Sequence, residues 1–188
     1  MDALMAALVL GALCQIGDRT PWLAAILADR YRARGVVIAA AALALAANYA
    51  LGALGGILIG PLLAPEAQGL LLGLALVLAG IGTSWRDKAP ERLEGWRLGA
   101  AATSFLGLAI MVLGDRMQFI AAGLAMRSPL PWLAAVGATL GALAVTVPAI
   151  VIGEARWIAL PRRATGIAIG AALVLAGAFL MLRSIALI

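Results

Sequence analysis

Six stretches of this 188-residue chain run for about twenty residues or more with few charges: 4–28, 35–60, 67–84, 98–125, 130–153 and 164–187. A helix of ~20 apolar residues, rising ~1.5 Å each, matches the ~30 Å hydrocarbon core of a bilayer. The sequence therefore predicts an all-α polytopic membrane protein with six transmembrane helices. Composition agrees: 64% of residues are hydrophobic and 12% charged, against roughly 45–50% and about 25% in a soluble domain. The remainder is short loops, which leaves no separate soluble domain to carry an activity. The opening MDALMAAL lacks a basic region and a clear cleavage site. Helix 1 is therefore expected to stay in the mature protein rather than leave as a signal peptide.

Basic residues give an orientation. Of the fourteen Lys and Arg, ten fall in three alternating loops: Arg30, Arg32 and Arg34; Arg86, Lys88, Arg92 and Arg97; Arg156, Arg162 and Arg163. The opposite loops hold Arg127. The positive-inside rule then puts loops 1, 3 and 5 in the cytoplasm and both termini outside. Because these residues flank helix ends, the pI near 10.7 reflects topology, and nucleic acid is not an expected partner. Trp85, Trp96, Trp132 and Trp157 stand near helix ends, as interfacial anchors do. A single cysteine, Cys14, excludes an intrachain disulfide and reads as a small buried residue. The chain has no histidine, so the commonest metal ligand and general base is absent.

An internal repeat organises the six helices. Residues 17–30, GDRTPWLAAILADR, match 114–127, GDRMQFIAAGLAMR, at eight of fourteen positions. GLALVLAG at 73–80 matches GAALVLAG at 170–177 at seven of eight, and Arg86 falls on Arg183. The offset is 97 residues throughout, with no gap. The expected domains are a three-helix repeat over 1–84, a cytoplasmic linker over 85–97 and a second three-helix repeat over 98–188. Three is odd, so the second repeat enters the membrane from the other side. Transporters use such inverted repeats and place their site near the midplane, where the repeats meet.

Asp18 and Asp115 fit that position. Each lies about ten residues from a helix end, roughly 15 Å, or half the hydrocarbon thickness. An ionisable group at that depth costs ~2.5–3.5 kcal/mol on insertion scales and marks a functional site by default. Interhelical Asp–Arg pairing is the competing structural role, with Arg19 and Arg116 as the charge-pairing or gating bases. Pro21 removes an N–H and clashes with the Gly17 carbonyl, predicting a kink and a carbonyl free to bind a cation. Gln118 stands where Pro21 would repeat, so this loosening is expected in the first repeat alone. Gln15 precedes Asp18 by three residues and Gln118 follows Asp115 by three, so each shares a helix face with its acid. Asn48, Thr139 and Thr146 are further mid-helix polar groups.

QIGDRT (15–20) and VLGDRMQ (112–118), with the AAxLA runs after them and GATLGALA at 137–144, resemble the Gdt-type membrane cation/proton exchangers. That family carries Glu-x-Gly-Asp-(Lys/Arg)-(Ser/Thr) on the first helix of each of two inverted repeats. The resemblance covers nearly the whole chain. It implies exchange of manganese or calcium for protons, with the Glu and Asp of both motifs forming the ion site. Here Gln15 and Val112 replace both glutamates, and Met117 replaces the second Ser/Thr. Carried over residue by residue, Asp18 and Asp115 are the remaining acids. With Arg19 and Arg116 the motifs carry net zero charge, where the family pattern gives −2. Asp18, Asp115, Gln15, Gln118, Thr20 and the Gly17 carbonyl are the candidate ion ligands, a set of six oxygens of the kind calcium and manganese take.

The expected function is therefore secondary transport of an inorganic divalent cation, of manganese or calcium type, coupled to protons through a titrating acid pair. The alternative is a degenerate relative with another substrate, or a non-transporting membrane subunit. An intramembrane aspartyl protease also pairs two Asp, but its Gly-x-Gly-Asp pattern is broken by Val112, and no enzyme is expected. No cofactor is expected. The partners are the lipid bilayer, the cation and protons, with a homo-oligomer compatible. The expected location is a bacterial-type inner membrane.

Overall fold

The computed structural model describes residues 2–84, 89–160 and 162–185. Trp85, Arg86 and Lys88, read above as anchor and loop charges, lie outside the described residues, as do the side chains of Arg162 and Arg163. Every regular element among the described residues is helical. The chain runs α1 (Asp2–Ile16), α2 (Arg19–Tyr31), α3 (Arg34–Ile59) with a 3-10 turn at Gly60–Leu62, α4 (Pro65–Ser84), α5 (Gly99–Val112), α6 (Arg116–Met126), α7 (Trp132–Ile152), α8 (Glu154–Ala159) and α9 (Arg162–Ser184). Four helices are long and apolar enough to cross a membrane, and the bent pairs α1+α2 and α5+α6 raise the number to six.

The two bent pairs correct one expectation. The first expected span is not a helix kinked at Pro21; it is broken at Gly17–Asp18 and turns by 67°. The matching span is broken as well, at Leu113–Asp115, and turns by 68° without a proline. In the first break Asp18 is the N-cap of α2, and Pro21 sits in the first turn, where an N–H has no intrahelical partner to lose. In the second, Gly114 takes φ +78, a left-handed backbone that glycine adopts freely. Its N–H donates to Gln118 Oε1 at 2.7 Å. Gln118 thus replaces Pro21 by a different device with the same outcome.

Asp2, Arg19 and Pro65 begin helices, and so do Gly99, Arg116 and Arg162, each 97 residues on. The halves interlock. α1 and α2 lie along α7, α5 and α6 lie along α3, and α4 pairs with α9. α1 therefore leans on the long helix of the other half, and meets α6 only over a smaller area. Small residues permit the close approach, as at helix interfaces in membranes generally. A Cβ on Gly11 would lie 2.8 Å from the Ala138 carbonyl oxygen, and one on Gly52 2.6 Å from that of Gln118. The outer faces of the long helices stay apolar: Leu43, Leu58, Leu78 and Leu175 are exposed, as lipid contact requires.

Candidate functional site

Both helix breaks carry an aspartate as N-cap, and the fold brings the two together. Asp18 accepts from Thr20 N at 3.2 Å and from the Thr20 hydroxyl at 2.5 Å, both through Oδ2. Asp115 Oδ1 accepts from Arg116 N at 2.6 Å. The local reason is shared: an Asp side chain satisfies the orphan N–H groups at a helix start. Each cap also points a carboxylate at the gap between two half-helices.

Arg116 fills that gap. Its Nη2 donates to Asp18 Oδ1 at 3.1 Å, and its Nε lies 3.8 Å from Asp115 Oδ1. Its Nη1 donates to the Thr83 hydroxyl at 2.9 Å, which in turn donates to the Ala79 carbonyl at 2.7 Å. The three charged side chains are largely shielded, at 15% exposure for Asp18, 11% for Asp115 and 18% for Arg116. Arg19, the repeat partner of Arg116, is exposed. Counted with both acids charged, two carboxylates and one guanidinium give −1 at the junction, where counting both arginines gives zero.

The other expected ligands divide. Gln15 is buried and donates from Nε2 to the Tyr49 hydroxyl at 3.1 Å, while its Oε1 accepts no hydrogen bond. Tyr49 and Cys14 are both buried within electrostatic reach of Asp18 and Asp115. Thr20 is buried against Asp18. Gln118 is committed elsewhere: Oε1 holds the Gly114 N–H, and Nε2 donates to the Asn48 carbonyl at 3.1 Å. It is the brace of the second break. Asn48 donates to the Ala44 carbonyl on its own helix and to the Ala109 carbonyl on α5, a contact between helices, while Thr139 donates to Ala135 one turn back on α7. Among the described residues no three His, Cys, Asp or Glu side chains cluster as metal ligands. Any cation here relies on two carboxylates and neutral oxygens. Thr83 and Tyr49 were missed from sequence. A hydroxyl in the last turn of the third helix and a phenol in the middle of the second were the available signals.

A half-open cavity of about 610 Å³ runs between α3, α4 and α6 and reaches Gly114, Arg116 and Gln118 at its inner end. Its walls are otherwise apolar, with Leu51, Leu74, Leu78 and Phe119 among them.

Two broken apolar helix pairs with acidic caps that meet between the halves are an arrangement found in membrane transporters. The comparisons agree. Residues 3–91 and 100–186 match the family described as "Divalent cation/proton antiporter GDT1", and the chain belongs to that family. It is also 32% identical over 160 residues to a "Putative manganese exporter" of Vibrio cholerae serotype O1, covering 82% of this chain and 78% of that protein. No solved structure matches.

Proposed function

We propose that this protein exchanges a divalent cation of manganese type for protons, and that the cation binds between Asp18 and Asp115. The observation that carries the proposal is the convergence of both carboxylates, one from each half, on the single guanidinium of Arg116. A guanidinium so held is a tethered cation in the place a free one would take. Oxygen donors stand ready around it: both carboxylates, the Thr20 hydroxyl and the unengaged Gln15 Oε1. The carbonyl ends of α1 and α5 at the breaks add donors of the kind that coordinate cations in other transporters. Two protons exchanged for one divalent ion keep the pair of carboxylates electrically balanced.

Two inverted repeats, 1–84 and 98–188 joined by the linker 85–97, support alternating access around this site. The 97-residue offset is common to sequence and helix starts, and three spans per half reverse the second half. The basic loops support an orientation with both termini outside, in a bacterial-type inner membrane. A second reading, a relative with altered substrate or without transport, draws on Arg116 itself, since it occupies the gap and neither glutamate of the motif is present.

The test is uptake of manganese, calcium and magnesium into proteoliposomes under an imposed pH gradient. Gradient-driven manganese uptake, lost in Asp18→Asn and Asp115→Asn, is the expected result. Uptake that survives both substitutions removes the acids from the pathway. Absence of any divalent uptake by the folded parent favours the second reading.

A further inference from the structure

At the end of the bundle read as cytoplasmic, the linker folds back onto the helices. Arg30, in the last turn of α2, donates from Nη1 to the carbonyls of Arg92 (3.4 Å) and Leu93 (2.7 Å). From Nη2 it donates to those of Glu94 (3.3 Å) and Trp96 (3.3 Å). One guanidinium thus gathers four carbonyls of a single short segment, the use to which its planar fork is best suited. The segment is fixed again at its flank. Arg92 pairs with Glu154 at 2.6 Å, and the Glu154 N–H donates to Asp29 Oδ2 at 2.7 Å.

The clasp holds a strained residue. Leu93 has φ +54, a left-handed backbone that a branched side chain rarely adopts and that persists only where its surroundings enforce it. That conformation turns the side chain inward. Leu93 packs against the buried cluster of Leu23, Leu27, Leu108 and Ile150, close enough to α5 that a Cβ on Gly107 would lie 2.5 Å from its Cδ1. Leu23 and Leu27 follow Asp18 on α2 by five and nine residues, roughly 8 and 14 Å along the helix. The plugged cluster therefore fills the space between this end of the bundle and the carboxylates. Beside the clasp, Arg30 lines a surface cavity of about 370 Å³ with Asp29, Arg92 and Glu154; Arg127, 97 residues on, lines two at the opposite end, of about 270 and 320 Å³.

We propose that residues 92–96 form a strap that closes the Arg30 end of the ion path, with Leu93 as the plug and Arg30 as the clasp. The strap makes the two ends unequal. Opening toward this face requires Arg30 to release the carbonyls and Leu93 to leave the cluster. The proposal rests on the antiport reading for its meaning, but its test reads opening directly and needs no cargo.

Ala24 is fully buried on α2, one turn and a half beyond Asp18. In a Cys14→Ala background, Ala24→Cys is labelled with a membrane-impermeant maleimide added at the Arg30 face. The parent labels slowly. Arg30→Ala and Leu93→Gly each raise the labelling rate at least tenfold; glycine accepts φ +54 without strain, so the second variant removes the plug alone. Ala134→Cys, buried in the other cluster, stays unreactive and separates local opening from unfolding. If Arg30→Ala loses its thermal transition, Leu93→Gly carries the test. A folded variant whose labelling stays within twofold of the parent overturns the strap, as does fast labelling of Ala24→Cys in the parent.

Discussion

Arg116 crosses from the second half of the chain to Asp18 in the first, with Nη2 3.1 Å from Oδ1, while its own neighbour Asp115 stands 3.8 Å from its Nε. One arginine of the repeated Gly-Asp-Arg is drawn into the junction; the other, Arg19, is exposed. The sequence repeat is thus not a structural symmetry at the site. A divalent ion and a guanidinium cannot share the gap. Unit charges 4 Å apart repel by about 4 kcal/mol at an effective dielectric of 20, so a divalent ion and Arg116 repel by about 8 kcal/mol. On the proposed reading, the cation binds only when Arg116 leaves Asp18.

Removing that competitor is the first prediction. Arg116→Gln keeps a hydrogen-bond donor for Thr83 and deletes the charge. Manganese affinity, measured by calorimetry, rises at least tenfold, about 1.4 kcal/mol, whereas Arg19→Gln changes it less than threefold. Equal effects of the two substitutions would contradict the unequal placement of the two arginines.

The acids separate transport from cohesion. Asp18→Asn strips Arg116 of its closest ionic partner, and breaking a shielded pair from one side destabilises by up to about 3–5 kcal/mol. Thermal stability in detergent falls and vesicle uptake is lost. Replacing Asp18, Asp115, Arg19 and Arg116 together by apolar residues of similar size restores much of the stability, since no charge is left unpaired. Uptake stays absent. Normal uptake by that fourfold variant would assign these residues to helix cohesion alone.

Packing gives a stability contrast independent of function. Gly11 faces the Ala138 carbonyl across the α1–α7 contact, with 2.8 Å available to a Cβ, while Gly55 on α3 has nothing within 4 Å. Gly11→Val separates α1 from α7 and abolishes the folded monodisperse protein in size-exclusion chromatography. Gly55→Ala is neutral or raises the melting temperature slightly, because Ala gains about 1 kcal/mol of helix propensity over Gly.

What the sequence disclosed follows from the physics it encodes. Apolar run length located the four long apolar helices and the two bent pairs, because bilayer thickness dictates it, and the Gly-Asp-Arg echo located both caps. It did not disclose that both first helices are broken. Pro21 advertised one break, but Gly114 and Gln118 make the other through a positive φ and a side-chain brace, neither visible as a pattern. Gln118 was read as a ligand for the same reason, since spacing places it on the face of Asp115 but cannot show that the backbone claims its oxygen. The inequality of Arg19 and Arg116 was beyond reach as well. Two copies of one motif predict two equal arginines, and only tertiary packing against Thr83 selects one.

The positions of the absent glutamates provide the last prediction. Gln15 is buried beside Tyr49, with an oxygen that accepts nothing, and Val112 is buried at the end of α5, three residues before Asp115. Both side chains are already shielded inside the bundle, each three residues before its acid and across a helix break from it. Gln15→Glu with Val112→Glu adds two carboxylates and moves the junction from −1 to −3 with Arg116 in place. The change at position 15 removes the amide donor to Tyr49, but the phenol can donate to the new carboxylate in return. If each added carboxylate contributes about 1 kcal/mol to a bound divalent ion, affinity rises more than tenfold, since about 1.4 kcal/mol is a factor of ten. Calorimetry with manganese and calcium measures it, with uptake under a pH gradient alongside. A folded double variant that binds no divalent cation better than the parent would show that Arg116 and the rest of the junction have been remade for another substrate or for none.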